Sequence, residues 1–169
     1  MHDFHGRNRK PQIALAQSLG FTDWAQPAGG CCFLTDEQYA LKLADMWQAR
    51  GSREYELDDI MLLKVGRHIR PKPNFKIIVG REEGENRYLE GYRQTFISVH
   101  ATSHSGPLAL IDGDVDSNDI DLAARIVTRY GQGKTAEEVT VEVRLPDGSK
   151  TERSVAPLLA QEIEKSWHV

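Results

Sequence analysis

Cys31 and Cys32 stand side by side behind Pro27-Ala28-Gly29-Gly30 and just ahead of Phe33-Leu34-Thr35-Asp36-Glu37-Gln38. The thiolate is the reactive form of cysteine, and a helix N-terminus stabilises it. Thr35 and Gln38 have capping-box spacing, and Asp36 and Glu37 put acid at the positive end of a helix dipole, so a helix is predicted to start here. Gly29 and Gly30 permit a tight turn and leave space beside the thiols. Two readings are open: a nucleophilic sulfur pair, or two small buried hydrophobes, the common fate of unpaired cysteine. Adjacent cysteines bridge only under strain, so a reducing cytoplasm suits them.

The second chemical resource is positive charge. The chain carries a formal net charge of −4, which by itself argues against a nucleic-acid partner. Its distribution argues otherwise. Residues 64–81 contain Lys64, Arg67, His68, Arg70, Lys72, Lys76 and Arg81 and no acid. Salt screens charges over about 10 Å, so a local cluster attracts phosphate even on an acidic chain. Arg7, Arg9 and Lys10, ahead of Pro11, form a smaller basic stretch. The alternative for both is a solvated charged face.

Other motifs fall short on spacing. Gly131-Gln132-Gly133-Lys134-Thr135 resembles the end of a phosphate-binding loop, but Thr128 stands where its first glycine belongs, and a predicted helix precedes it. A helix C-cap followed by a solvated lysine accounts for it. The acidic run from Asp112 to Asp119 has Ser117 and Ala123 at the calcium-loop positions that need glycine and glutamate, and reads as a turn with a helix cap. His100, His104, Ser98 and Ser103 lack a nucleophile elbow, and no zinc-finger spacing exists, so no metal is expected.

The elements that must position these groups follow from periodicity. Ile13, Leu15, Ala16 and Leu19 predict a helix that stops at Gly20, and Tyr39, Leu43, Met46 and Trp47 share one face of a helix over 36–48. Residues 58–63 fit a helix or an extended piece. Pro71-Lys72-Pro73 reads as a linker between a helical segment, 1–70, and a second domain, 71–169. In that second part strands are predicted at 75–79, 95–100 and 107–111, with a helix over 82–93. A further helix carries Ile120, Ala123, Ala124, Val127 and Tyr130 on one face and stops at Gly131. Val139, Val141, Val143 and Leu145 alternate as a strand, Pro146-Asp147-Gly148 turns it into a hairpin with 150–155, and 158–167 closes as a helix. Strands interleaved with helices predict an α+β fold, α/β-like, with a small mixed sheet. The opening residues lack the apolar run of a signal peptide and no stretch suits a bilayer, so a cytoplasmic protein without membrane partners is expected.

Gly6-Arg7-Asn8-Arg9-Lys10-Pro11-Gln12, the Pro27-Ala28-Gly29-Gly30-Cys31-Cys32-Phe33-Leu34-Thr35-Asp36 run and Val65-Gly66-Arg67-His68 resemble the segment that follows the ATP-binding domain of tRNA-thiolation (thiouridylase-like) enzymes. Val79-Gly80-Arg81-Glu82-Glu83-Gly84-Glu85-Asn86, continuing to Tyr130, resembles the NFACT-R type of RNA-binding domain. The resemblance implies a tRNA sulfurtransferase part in which Cys31 or Cys32 carries sulfur as thiolate or persulfide. A Cys-Phe pair favours Cys32 and a Gly-Gly-Cys pattern favours Cys31, so the choice stays open. It further implies that Arg67, Arg70, Lys72, Lys76 and Arg81, with Arg7, Arg9, Lys10, Lys64 and His68, hold tRNA or other structured RNA, and that His100 meets a base. ATP would bind a PP-loop domain, whose Ser-Gly-Gly-x-Asp-Ser motif these residues lack. The expectation is therefore no cofactor in this chain and a PP-loop ATPase as partner. A stand-alone RNA-binding adaptor with structural thiols is the alternative.

Overall fold

The computed structural model describes residues 9–23 and 36–169, and the chain divides into two compact units, Met1–Phe33 and Leu34–Val169. Cys31, Cys32 and Arg7 lie outside the described residues. In the first unit, helix α1 (Lys10–Ser18) carries Pro11 in its first turn, where a missing amide costs nothing, and the chain leaves it through Gly20 at φ 85°. No described helix is long and apolar enough to cross a membrane.

The second unit opens with helix α2 (Glu37–Arg50). Its cap is Asp36, whose Oδ1 accepts from the Tyr39 amide at 2.9 Å; Thr35, the expected cap, lies outside the described residues. Gly51, at φ 64°, ends the helix in the left-handed conformation. The face of Tyr39, Leu43, Met46 and Trp47 packs against Ile60 and Leu63, as its spacing predicts. Helix α3 (Leu57–Leu62) settles the ambiguous stretch: Asp59 accepts from the Glu56 amide and fixes the first turn.

Six strands follow: β1 (Arg67–Lys72), β2 (Phe75–Val79), β3 (Ile97–Ala101), β4 (Leu108–Gly113), β5 (Val139–Arg144) and β6 (Lys150–Val155). Helix α4 (Glu83–Glu90) joins β2 to β3, and α5 (Ser117–Arg129) joins β4 to β5. The order across the sheet is β1-β2-β4-β3-β5-β6, and every neighbouring pair is antiparallel. The expected mixed sheet is thus corrected, for a topological reason. Each β-α-β unit does run its two strands in the same direction, but the other unit's strand lies between them. β4 separates β2 from β3, and β3 separates β4 from β5.

Strand alternation sorts the core into two layers. Ile77, Val79, Val99, Ala109, Ile111, Val141 and Val143 form one apolar cluster with α5, whose Ala123 and Ala124 let the helix lie close to the sheet. Ile78, Leu108 and Leu110 meet Leu62 of α3 and Leu89 of α4 on the opposite face. Pro71-Lys72-Pro73, read as a linker, is the end of β1 and the turn into β2. Pro71 is tolerated there because β1 is an edge strand. The predicted C-terminal helix is also corrected to two 3-10 turns, Ala160–Glu162 and Lys165–Trp167. Pairing with the open side of β1 draws the tail out: the Val169 amide donates to the His68 carbonyl at 3.1 Å, and His168 bridges Ile69.

One charge interrupts the apolar run of β2. Lys76 is 2 % exposed, with Nζ 3.7 Å from Asp45 and 3.9 Å from Asp112. Burial pulls its pKa down, and the two carboxylates oppose that. Asp45 also accepts from Arg70 Nε at 2.6 Å and Nη2 at 2.9 Å, which ties α2 to β1. Asp45→Ala leaves Lys76 buried beside fewer counter-charges and is expected to cost about 3 kcal/mol in denaturant unfolding. Lys76→Met, which removes the buried charge itself, is expected to cost less than half as much.

Candidate nucleic-acid interface

Two Val-Gly-Arg tripeptides, Val65-Gly66-Arg67 and Val79-Gly80-Arg81, meet at the open end of the β1–β2 hairpin, where Arg67 pairs with Val79. Gly66 sits at φ 74°, and a Cβ there would come within 2.7 Å of the Val79 carbonyl oxygen. The first turn of α4 closes this end. Glu85 Oε1 accepts from the Gly66 amide at 3.2 Å, and its Oε2 accepts from the Arg81 amide at 2.7 Å. The Arg81 guanidinium grips the same carboxylate, with Nη2 donating at 2.7 Å. Asn86 Oδ1 accepts from the Leu108 amide at 3.1 Å and fills the space that a Gly80 side chain would need. Glu85 and Asn86 thus bind together the ends of β1, β2 and β4.

The facing wall comes from the β3–β4 loop and the residues after α5. The Gln132 amide donates to the Ser105 carbonyl at 2.8 Å, and Gly131 lies so close that a Cβ would stand 3.1 Å from that oxygen. Tyr130, the C-cap of α5, is half-buried, and the Arg67 guanidinium carbon lies 5.2 Å from its ring centre. Burial raises the Tyr130 pKa, and the Arg67 charge opposes the shift.

Between these walls is an open cleft of about 790 Å³ lined by Arg67, Arg81, Asn86, Tyr130, Gln132 and Lys134, with Glu82 and Glu83 also on its lining. A second hollow, of about 480 Å³, shares Tyr130, Gly131 and Lys134 with it and adds Arg129, Lys165 and His168. No carboxylate lines this second hollow. Arg129, Lys134 and Lys165 make no ion pair with any described residue. Unpaired cations around an aromatic ring suit a phosphate-bearing ligand. Among the described residues, no group of three or more His, Cys, Asp or Glu side chains is placed to hold a metal.

The basic run at 64–81 does not form one patch, because strand alternation and ion pairing scatter it. Arg67 and Arg81 line the cleft. Arg70 is bound to Asp45, and Lys72 donates to Asp119 at 2.5 Å, beside a separate hollow near Trp167. Lys76 and His68 are buried, which corrects their expected place on an RNA-facing surface. His68 shares Nε2 between the Leu62 and Val65 carbonyls, and desolvation, helped by the charges of Lys76 and Lys42, holds its pKa well below the usual value. Lys64 is exposed, with Nζ 3.5 Å from Met61 Sδ. His100, half-buried on β3, has Nδ1 4.0 Å from Glu142 and its pKa lowered, by burial first. Arg9 and Lys10 are exposed at the start of α1, in the first unit.

The residues that sequence reasoning missed are Arg129, Tyr130, Gln132, Lys134, Lys165 and His168. A signal for four of them was present: residues 125–134 hold three cations, a tyrosine and two glycines, with no acid. The glycines and lysine of this segment resemble a phosphate loop without its spacing, which hides the basic character of the segment. The loop itself is absent, since the glycines follow α5 rather than precede a helix.

Residues 66–168 match the family model described as the NFACT protein RNA binding domain. No curated protein sequence gives a significant match. Among solved structures, the C-terminal part of the fibronectin/fibrinogen-binding protein from Streptococcus suis aligns with a TM-score of 0.53. The alignment covers 78 % of this chain and 68 % of that one at 14 % identity, a likeness of fold.

The Glu85 clamp has a pH signature. Burial would raise its pKa, but the hydrogen bonds from the Arg81 side chain and from the Arg81 and Gly66 amides outweigh it and lower the value to about 2. A carboxylate depressed in the folded state stabilises above its unfolded pKa and loses that contribution as pH falls through the folded one. Glu85→Gln is expected to cost about 2 kcal/mol at neutral pH. Its deficit relative to wild type should shrink between about pH 4.5 and 2, as followed by urea unfolding.

Proposed function

The chain belongs to the NFACT protein RNA binding domain family, and on that premise we propose that it grips the phosphates of structured RNA in the paired hollows around Tyr130 and Lys134. The observation that carries this reading is the second hollow, where Arg129, Lys134, Lys165 and His168 converge with no carboxylate among them. Each cation that neutralises a phosphate releases condensed counterions, so much of the affinity is the entropy of that release, and it falls as salt is added. The overall charge of −4 does not oppose this, because charges beyond about 10 Å are screened. Arg67, which has no carboxylate partner among the described residues, extends the positive lining into the first cleft, and transfer RNA is within the class of folded RNA such a surface accepts.

Sulfur delivery to tRNA by Cys31 or Cys32, with a PP-loop partner supplying ATP chemistry, gains no support from the family match. That match begins at residue 66, after both thiols. The function we infer is therefore RNA holding.

Binding of a folded RNA, measured by fluorescence anisotropy between 50 and 200 mM salt, should fall steeply as salt rises, about a thousandfold if six phosphates are contacted. The double variant Arg129→Gln, Lys134→Gln should weaken it at every salt concentration and flatten the log–log slope by about two. A slope that the double substitution leaves unchanged would overturn the assignment of RNA to these hollows.

A further inference from the structure

Three arginines mark the β1–β2 hairpin, and they are spent differently. Arg70 is committed to Asp45 and Arg81 to Glu85, both through two guanidinium nitrogens. Arg67 has no carboxylate partner among the described residues; it is exposed, and its guanidinium lies over Tyr130. Its backbone is fixed from both sides. Glu85 holds the preceding Gly66 amide, and Arg67 itself is in register with Val79. Tyr130 is fixed in turn by the end of α5. The ring contact removes part of the rotamer freedom that this side chain would otherwise lose when a ligand arrives.

A guanidinium is planar, weakly hydrated and able to stack, and unpaired nucleobases stack on such planes as they do on aromatic rings. The cleft into which Arg67 faces also contains Ser105 and Gln132, which supply the donors and acceptors a base edge requires. The second hollow adjoins this cleft through Tyr130, Gly131 and Lys134 and adds Arg129 and Lys165, with no acid on its lining. We propose that an unpaired nucleobase stacks on Arg67 over Tyr130 in the first cleft, while its flanking phosphates sit in the second hollow. The ligand class is then RNA with an extruded or single-stranded nucleotide, rather than continuous duplex, whose bases remain stacked within the helix. This rests on the RNA-binding reading above and narrows it.

Arg67→Lys separates the two claims, because it keeps the charge and removes the plane. The probes are a short single-stranded RNA with a central 2-aminopurine and the blunt duplex of the same sequence, each titrated with the full chain. The expected results are tighter binding of the single strand, 2-aminopurine fluorescence quenched by wild type, and about a tenfold loss of single-strand affinity in Arg67→Lys with the salt slope unchanged. Duplex affinity should not move in that variant. Quenching is read on the wild-type chain, so the test does not depend on how the variant folds. Equal binding of both RNAs by wild type, or no quenching, overturns the stacked base. If Arg67→Lys binds like wild type while Arg129→Gln, Lys134→Gln weakens both RNAs, stacking fails and RNA holding stands. If neither RNA binds, both readings fail together.

Discussion

The carboxylate of Glu85 is the point on which the binding end of the sheet depends. Antiparallel hairpins fray at their open ends, where ladder hydrogen bonds run out and amides would otherwise face water. Here one side chain takes the amide that precedes β1, the amide that follows β2 and a guanidinium, and its neighbour Asn86 takes the first amide of β4. Charge-assisted bonds of this kind are about twice as strong as neutral ones. Their geometric consequence matters more. They set where Arg67 leaves the backbone, and Gly66 and Gly80 are required because any side chain at either would strike the clamp or the facing strand.

The same fixity explains which parts of the fold could be read from sequence. Local patterns were legible: the alternation of Val139, Val141 and Val143, the Pro146-Asp147-Gly148 turn and the apolar face of α5 all appear where periodicity puts them. Strand order was not. A β-α-β alternation specifies that two strands run the same way, and it says nothing of whether a third lies between them. Interlocking two such units makes an antiparallel sheet from parallel-looking sequence. The C-terminal tail failed for a related reason: an edge of β1, distant in sequence, offers it backbone partners that compete with helix.

Charge was the hardest feature to read, because density along a chain differs from availability on a surface. The run at 64–81 is the most basic stretch, yet its members alternate between faces of β1 and β2, and carboxylates from Asp45, Glu85, Asp112 and Asp119 answer most of them. A cation already paired has given up the free energy it would offer a phosphate, and drawing it away exposes its partner acid to the same phosphate. Arg129, Lys134 and Lys165 are spread over some thirty-seven positions and look unremarkable in sequence, but they converge on one hollow with no ion pair to any described residue.

That contrast gives a physical criterion for the interface. Electrostatic attraction needs charges that can exchange counterions for phosphates, and the second hollow has them. Specific orientation needs groups whose positions are set before the ligand arrives, and the clamp at Glu85 with the Arg67–Tyr130 contact supplies these. The two requirements pull against each other, since a cation fixed by an ion pair is orderly but neutralised. Resting Arg67 on an aromatic ring resolves the conflict: the ring's quadrupole orders the guanidinium without cancelling its charge. Arg67 is thereby both placed and still positive, a combination that the carboxylate-bound Arg70 and Arg81 do not offer.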